Sequence, residues 1–180
     1  MANAEQPAGG KNGRLDEGNY PRMKSILVPL DFSPVSKRVT DEALHLARAL
    51  KARLVFIHVV QPPVIVTDYA GMTLEDTAIL MSDARHSAAR HLVKLRARLR
   101  TLRVNAGTIL ETGAPVPCII EEARRLKASH IVIGSHGHTA FFDLLIGSTT
   151  CGVLKRSPCP VVVVPAASPI APPRRPKARA

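Results

Sequence analysis

Gly134 to Thr149, GSHGHTAFFDLLIGST, holds the residue types and gaps best suited to chemistry in this chain. Gly134 and Gly137 stand three apart, so a tight turn with positive φ is open to them and a bound group can reach bare backbone without meeting a Cβ. Gly147, Ser148 and Thr149 follow at the start of a predicted helix, where unpaired amide hydrogens and the positive dipole end favour an anion. The implied chemistry is recognition of phosphate by backbone amides, with two hydroxyls and the polar His136 and His138 alongside. Glycines that merely end a strand and open a helix are the structural reading of the same residues.

Other phosphate and metal chemistries do not fit. A Walker-type loop ends in Gly-Lys-Ser or Gly-Lys-Thr, and a dinucleotide fingerprint places its glycines after the first strand; neither occurs. Enzymes that split ATP between its α and β phosphates use a Ser-Gly-Gly loop where this chain has LDFSPVS. His130, His136, His138, Cys151 and Cys159 lack the short pair spacing of a structural zinc site, so no metal centre is expected.

Positioning these residues requires a sheet edge. Short β-branched runs alternate with helical periods, the signature of βα units and a parallel sheet. The expected strands are Ser25 to Leu30, Leu54 to Val60, Val104 to Leu110, His130 to Ile133 and Val161 to Val164. Ser33 and Pro34 read as an N-cap and first helical residue ahead of Val39, Ala43, Leu46, Ala47 and Leu50. Ala88, Leu92, Leu95, Leu99 and Leu102 form one apolar stripe of a second helix. Further helices are expected over Pro115 to Lys127 and Ser148 to Arg156, the latter with Lys155 and Arg156 at its negative dipole end. Gln61 to Met81 shows no clean period and reads as a long connection, with room for a short helix.

With 180 residues and 46% hydrophobic content, one domain with a buried core is expected. The expected organisation is a disordered extension over 1–22, a domain over 23–165 and a basic, Pro-rich disordered tail over 166–180. Three cysteines, Cys118, Cys151 and Cys159, form no disulfide framework, which favours a reducing, cytoplasmic setting. No run approaches the roughly 18 apolar residues of a membrane span. The net charge of +11 is local. From Asp83 to Arg103 seven basic residues face one acid, and Arg174, Arg175, Lys177 and Arg179 add four more. Nucleic-acid binding through that helix, Arg85 to Arg103, and the tail is the alternative function; no aromatic residues interleave the charges to stack bases.

The spacing Gly, two residues, Gly, nine residues, Gly, Ser resembles the nucleotide-binding signature of the universal stress protein family. ILVPLDFSP, LVFIHVV, Gly113 with Pro115, and SPCPVVVVP look like the same family, so the resemblance covers roughly Lys24 to Pro165. It implies a single three-layer α/β domain, adenine nucleotide alpha hydrolase-like, with a five-stranded parallel sheet in the order 3-2-1-4-5. It also implies a homodimer through the last strand, 161–164, and ATP as ligand, with Mg2+ as the ion that would accompany it. Carried over by position, Pro29, Leu30, Asp31 and Val59 would meet adenine and ribose, and Gly134 would lie beside the ribose. His136, Gly137, His138, Gly147, Ser148 and Thr149 would face the triphosphate. His130 departs from the family, whose members commonly carry an acid there. No general base stands near the γ-phosphate, since Asp31 falls at the nucleoside end. A binding module is therefore expected, with at most slow ATP hydrolysis or self-phosphorylation on Ser148 or Thr149.

Overall fold

A computed structural model of the chain describes residues 24–62, 74–135 and 146–166. His136, Gly137 and His138 lie outside the described residues, as do the extension over 1–22 and all but the first residue of the tail.

Nine elements follow in order: β1 (Ser25–Pro29), α1 (Val35–Leu50), β2 (Arg53–Val60), α2 (Leu74–Thr101), β3 (Ala106–Thr112), α3 (Pro115–Arg125), β4 (His130–Gly134), α4 (Ser148–Arg156) and β5 (Val161–Val164). The strands form one parallel sheet ordered β3-β2-β1-β4-β5, as expected. Alternation along the strands feeds two cores. Ile26, Val28, Leu54, Phe56 and Val132 pack under α1 and α2 with Val39, Ala43 and Leu99. Leu27, Val55, Ile57, Ile131 and Ile133 pack under α3 and α4 with Ile119, Ile120, Ala123 and Val153. Strands covered on both faces explain the near-continuous apolar runs. Among the described residues no helix is long and apolar enough to cross a membrane.

Three expectations shift. Residues 74–81, read as connection, are the opening turns of α2. Glu75 and Asp76 favour a helix start through the dipole. The apolar period is missing because this half packs on little: Ile79 is 60% and Leu80 50% exposed. Ser33 is not the N-cap of α1. Pro34 takes that position without a side-chain cap bond, and the buried Ser33 Oγ has no hydrogen-bond partner. Finally β3 begins at Ala106, not Val104, and Leu102 is 43% exposed, because residues 102–104 close α2 instead of joining the helix stripe or the strand.

That closure occurs three times. Lys51, Arg103 and Lys127, with φ of 51°, 53° and 49°, each adopt the left-handed conformation just after a helix. Their amides donate to Arg48, Arg100 and Arg124, while the next amides, of Ala52, Val104 and Ala128, donate to Ala47, Leu99 and Ala123. This paired pattern is the Schellman motif, in which glycine is the usual left-handed residue. A lysine or arginine there costs about 1 kcal/mol relative to glycine. The following residue points back into the core, Ala52 and Ala128 being buried. The local sequence repeats accordingly: Leu50, Lys51, Ala52; Leu102, Arg103, Val104; Leu126, Lys127, Ala128.

Candidate functional site

In this strand order the chain leaves β1 toward β2 on one side, while β4 lies on the other, so a crevice opens at the carboxyl ends of β1 and β4. A pocket of about 330 Å³ occupies it. That lies near the lower end of the range for small-molecule sites. Its walls are apolar where the strands and α3 meet, with Ile57, Ile119 and Ile133, and polar at the rim.

The structure brings together Pro29, Leu30, Asp31, Val59, Gly134, Gly147, Ser148 and Thr149 from the expected set. His58, Ser36, Gln61 and Thr150 line the same pocket and were missed by sequence reasoning. His58 carried a usable signal: it is the lone polar residue within LVFIHVV.

Each rim residue is held by its neighbours. Leu30 ends β1 by donating its amide to the Ile57 carbonyl at 2.9 Å. Its own carbonyl accepts a 2.7 Å bond from His58 Nδ1, which therefore carries the proton. Asp31 Oδ1 accepts from the Ser33 amide at 3.0 Å and the Ser36 hydroxyl at 3.1 Å, an Asx-type turn into α1. The acid thus serves the start of α1 and the pocket wall together. Between them Phe32 sits at φ 61°, its ring 4.5 Å from that of His58 and 4.8 Å from that of His91 on α2.

On the opposite wall, β4 is tied to the start of α4. The buried Thr150 hydroxyl donates to the Gly134 carbonyl at 2.7 Å, and the Gly147 amide to the Ser135 carbonyl at 2.7 Å. No side chain caps α4, so the amides of Ser148 and Thr149 find no acceptor within the helix. Gly134 does not use positive φ, contrary to expectation. It is the last residue of β4, paired with Val164, and among described glycines only Gly113 has positive φ, at 147°. Gly147 is likewise extended, with φ −69° and ψ 157°. What these glycines supply is bare backbone, not a special turn.

Among the described residues lining the pocket, Asp31 is the one that is formally charged. An anion here would be met by amides, hydroxyls and the dipole of α4, not by lysine or arginine. Near the Gly113 turn, burial first, then Glu111 and Glu121, raises the Cys118 thiol above its ordinary value. A thiol held neutral is a weaker nucleophile than a thiolate. Arg85 reaches Thr112 at the end of β3, well away from Arg98, Arg100 and Arg103 at the other end of α2. The basic residues therefore run along α2 from Arg85, beside the end of β3, to Arg98 and Arg100 in its last turn.

Comparisons with known proteins agree with this architecture. The model described as "Universal stress protein family" matches residues 23–165. Universal stress protein MJ0531 of Methanocaldococcus jannaschii is 31% identical over 142 residues, spanning 78% of this chain and 81% of the relative. The solved universal stress protein UspA from Lactobacillus plantarum is 27% identical, with TM-score 0.66, covering 81% of this chain and 99% of that one. A universal stress protein solved in complex with cAMP shares the fold, at 23% identity and TM-score 0.58 over 79% of this chain and 96% of that one.

Proposed function

Since this chain belongs to the universal stress protein family, we propose that it is a nucleotide-binding stress protein whose ligand is ATP. The observation that carries the proposal is the crevice itself: an apolar slot at the ends of β1 and β4, bordered by uncapped amides at the start of α4. A purine suits the apolar walls, and a polyphosphate suits the amides. In this reading Pro29, Leu30 and Val59 border the base, Asp31 and Gly134 the ribose, and Gly147, Ser148 and Thr149 the phosphates. His136, Gly137 and His138 would complete the phosphate side. Mg2+ bound with ATP would offset charge that no lysine or arginine among the described lining residues balances.

Among the described residues lining the pocket, Asp31 and His58 are engaged by Ser33, Ser36 and Leu30, so occupancy itself would be the output, through stability and partner choice. The domain over 23–165 would act in the cytoplasm, where the three free cysteines stay reduced. It would pair with a second copy along β5, an edge strand whose Val161, Val162 and Val163 remain only half-buried. Light scattering should give twice the chain mass.

The direct experiment is to denature freshly purified protein and identify what it releases. Adenine nucleotide in near-equimolar amount is expected. Purified protein that releases none, and whose melting temperature does not rise in excess ATP, would refute the reading.

A further inference from the structure

The strand-amino edge lies at the opposite end of the domain from the pocket. We propose that this edge binds the phosphate backbone of a double-stranded nucleic acid, through Lys51, Arg103 and Lys127 and the basic last turns beside them.

A local rule is broken three times in this fold. A helix end closed by a Schellman motif calls for glycine or asparagine at its left-handed position. Three of three such ends here carry lysine or arginine instead, all exposed. Favourable contact with the helix dipole does not account for the choice. A cation anywhere in the last turn serves the dipole, and α1, α2 and α3 each already have arginine there. Repeated departures from local preference are expected where a function is served.

Topology then gathers these charges. In a parallel sheet with helical crossovers every helix ends at the strand-amino edge, so the three residues share one face with the basic last turn of α4. Among the described residues, the last turns and the turns that follow contain a single acid, Glu122, which is buried and paired with Arg125. His130 opens β4 at this same edge.

The shape of the charge selects the partner. Five strands about 4.8 Å apart make an edge about 19 Å wide. A duplex presents one negative charge per about 1.7 Å with both strands counted, so roughly eleven phosphate charges lie along that length and those on the near side would face the edge. Single strands are held mainly by stacking on aromatic rings. The described aromatics are Phe56, which is buried, and Phe32, which lies at the other edge. Stable seating on an anionic membrane would draw on an apolar wedge beside the charge, and among the described residues Leu102 and Leu154 are the large apolar side chains exposed nearby. Binding would be independent of base sequence, and it does not rest on the nucleotide reading of the pocket.

The test is fluorescence anisotropy of the full chain with a mixed-sequence duplex of about 20 base pairs, across a salt series from about 50 to 200 mM. The full chain should bind, and affinity should fall steeply with salt. The triple variant Lys51→Gly, Arg103→Gly, Lys127→Gly should lose at least tenfold in affinity at about 100 mM salt, with the salt slope less steep by roughly 2.7. Its melting temperature should hold or rise, since glycine suits the left-handed conformation; this separates lost binding from lost folding. A second variant, Arg174→Gln, Arg175→Gln, Lys177→Gln, Arg179→Gln, removes the tail charges and should keep the dependence on Lys51, Arg103 and Lys127. No duplex binding at low salt would overturn the proposal. So would an unchanged slope in the triple variant, loss of all binding with the tail charges alone, or capture by phosphatidylserine vesicles in preference to the duplex.

Discussion

At the strand-carboxyl edge the turns have little in common, whereas at the strand-amino edge three of them are copies. Into α1 the chain passes through Asp31 and the left-handed Phe32; into α3 through Gly113 and Pro115; into α4 through Gly147. None of these three helix starts has a side-chain cap bond. The three helix ends across the sheet satisfy their carbonyls through the same pair of backbone bonds. Uncapped helix starts thereby gather at one end of the molecule and cations in left-handed helix ends at the other. A parallel α/β domain separates these two means of meeting an anion, because every helix starts at one edge and finishes at the other.

Blocking the amides should produce the largest effect. With ATP at about 100 times its dissociation constant, a ligand held only by the folded state adds about 2.7 kcal/mol. For a chain of this size that is about 5 to 11 °C in melting temperature. Gly147→Val should abolish the shift and lower the apo melting temperature by only a few degrees, because φ −69° and ψ 157° suit valine although valine is a poorer N-cap than glycine. A shift retained in this variant would separate the nucleotide from the start of α4 and undo the contrast between the edges.

The position of α4 depends on a close approach to α3. A Cβ on Gly152 would lie 2.7 Å from Val116 Cγ2. Gly152→Ala should cost about 1–2 kcal/mol despite its better helix propensity, as overpacking does. In a Val116→Ala background the same change should become neutral or stabilising. Denaturant melts of the four proteins give the coupling directly. Additive costs would mean that α4 is held to the pocket by the β4 staples alone. One of those staples can be removed in turn. Thr150→Val should cost about 1–2 kcal/mol, since the Gly134 carbonyl loses its buried 2.7 Å donor.

The sequence disclosed the carboxyl edge better than the amino edge, for physical reasons. β-branched runs are strong signals, so the parallel sheet was legible in them, while its strand order and eight of the residues lining the pocket were legible through glycine spacing and the family resemblance. His58 was not, because nothing in LVFIHVV says that one side chain turns to bond Leu30. The first half of α2 was illegible because a helix that buries almost nothing has no apolar period to show. Asp31 read as a lone acid, yet its partners Ser33 and Ser36 sit two and five residues on and needed the turn at Phe32 to reach it. The amino edge was overlooked for a different cause. Left-handed helix ends are recognised by glycine, and here Lys51, Arg103 and Lys127 stand in its place.

Those left-handed positions allow a single substitution to be tried at both edges. Lys51→Gly and Lys127→Gly should each stabilise the domain by about 1 kcal/mol, because both side chains are exposed and the backbone strain is relieved. Phe32→Gly relieves the same strain but removes a ring held between His58 and His91. Aromatic contacts of this kind contribute about 0.5–1.5 kcal/mol each beyond area burial. The net change should therefore be a loss of about 1 kcal/mol, read from chemical denaturation of the three variants in the absence of ligand. Opposite signs would mean that left-handed backbone is held by side-chain packing at the pocket edge and tolerated for its charge at the other. Equal signs would remove that distinction, and with it the reason to regard the lysines as anything more than helix ends.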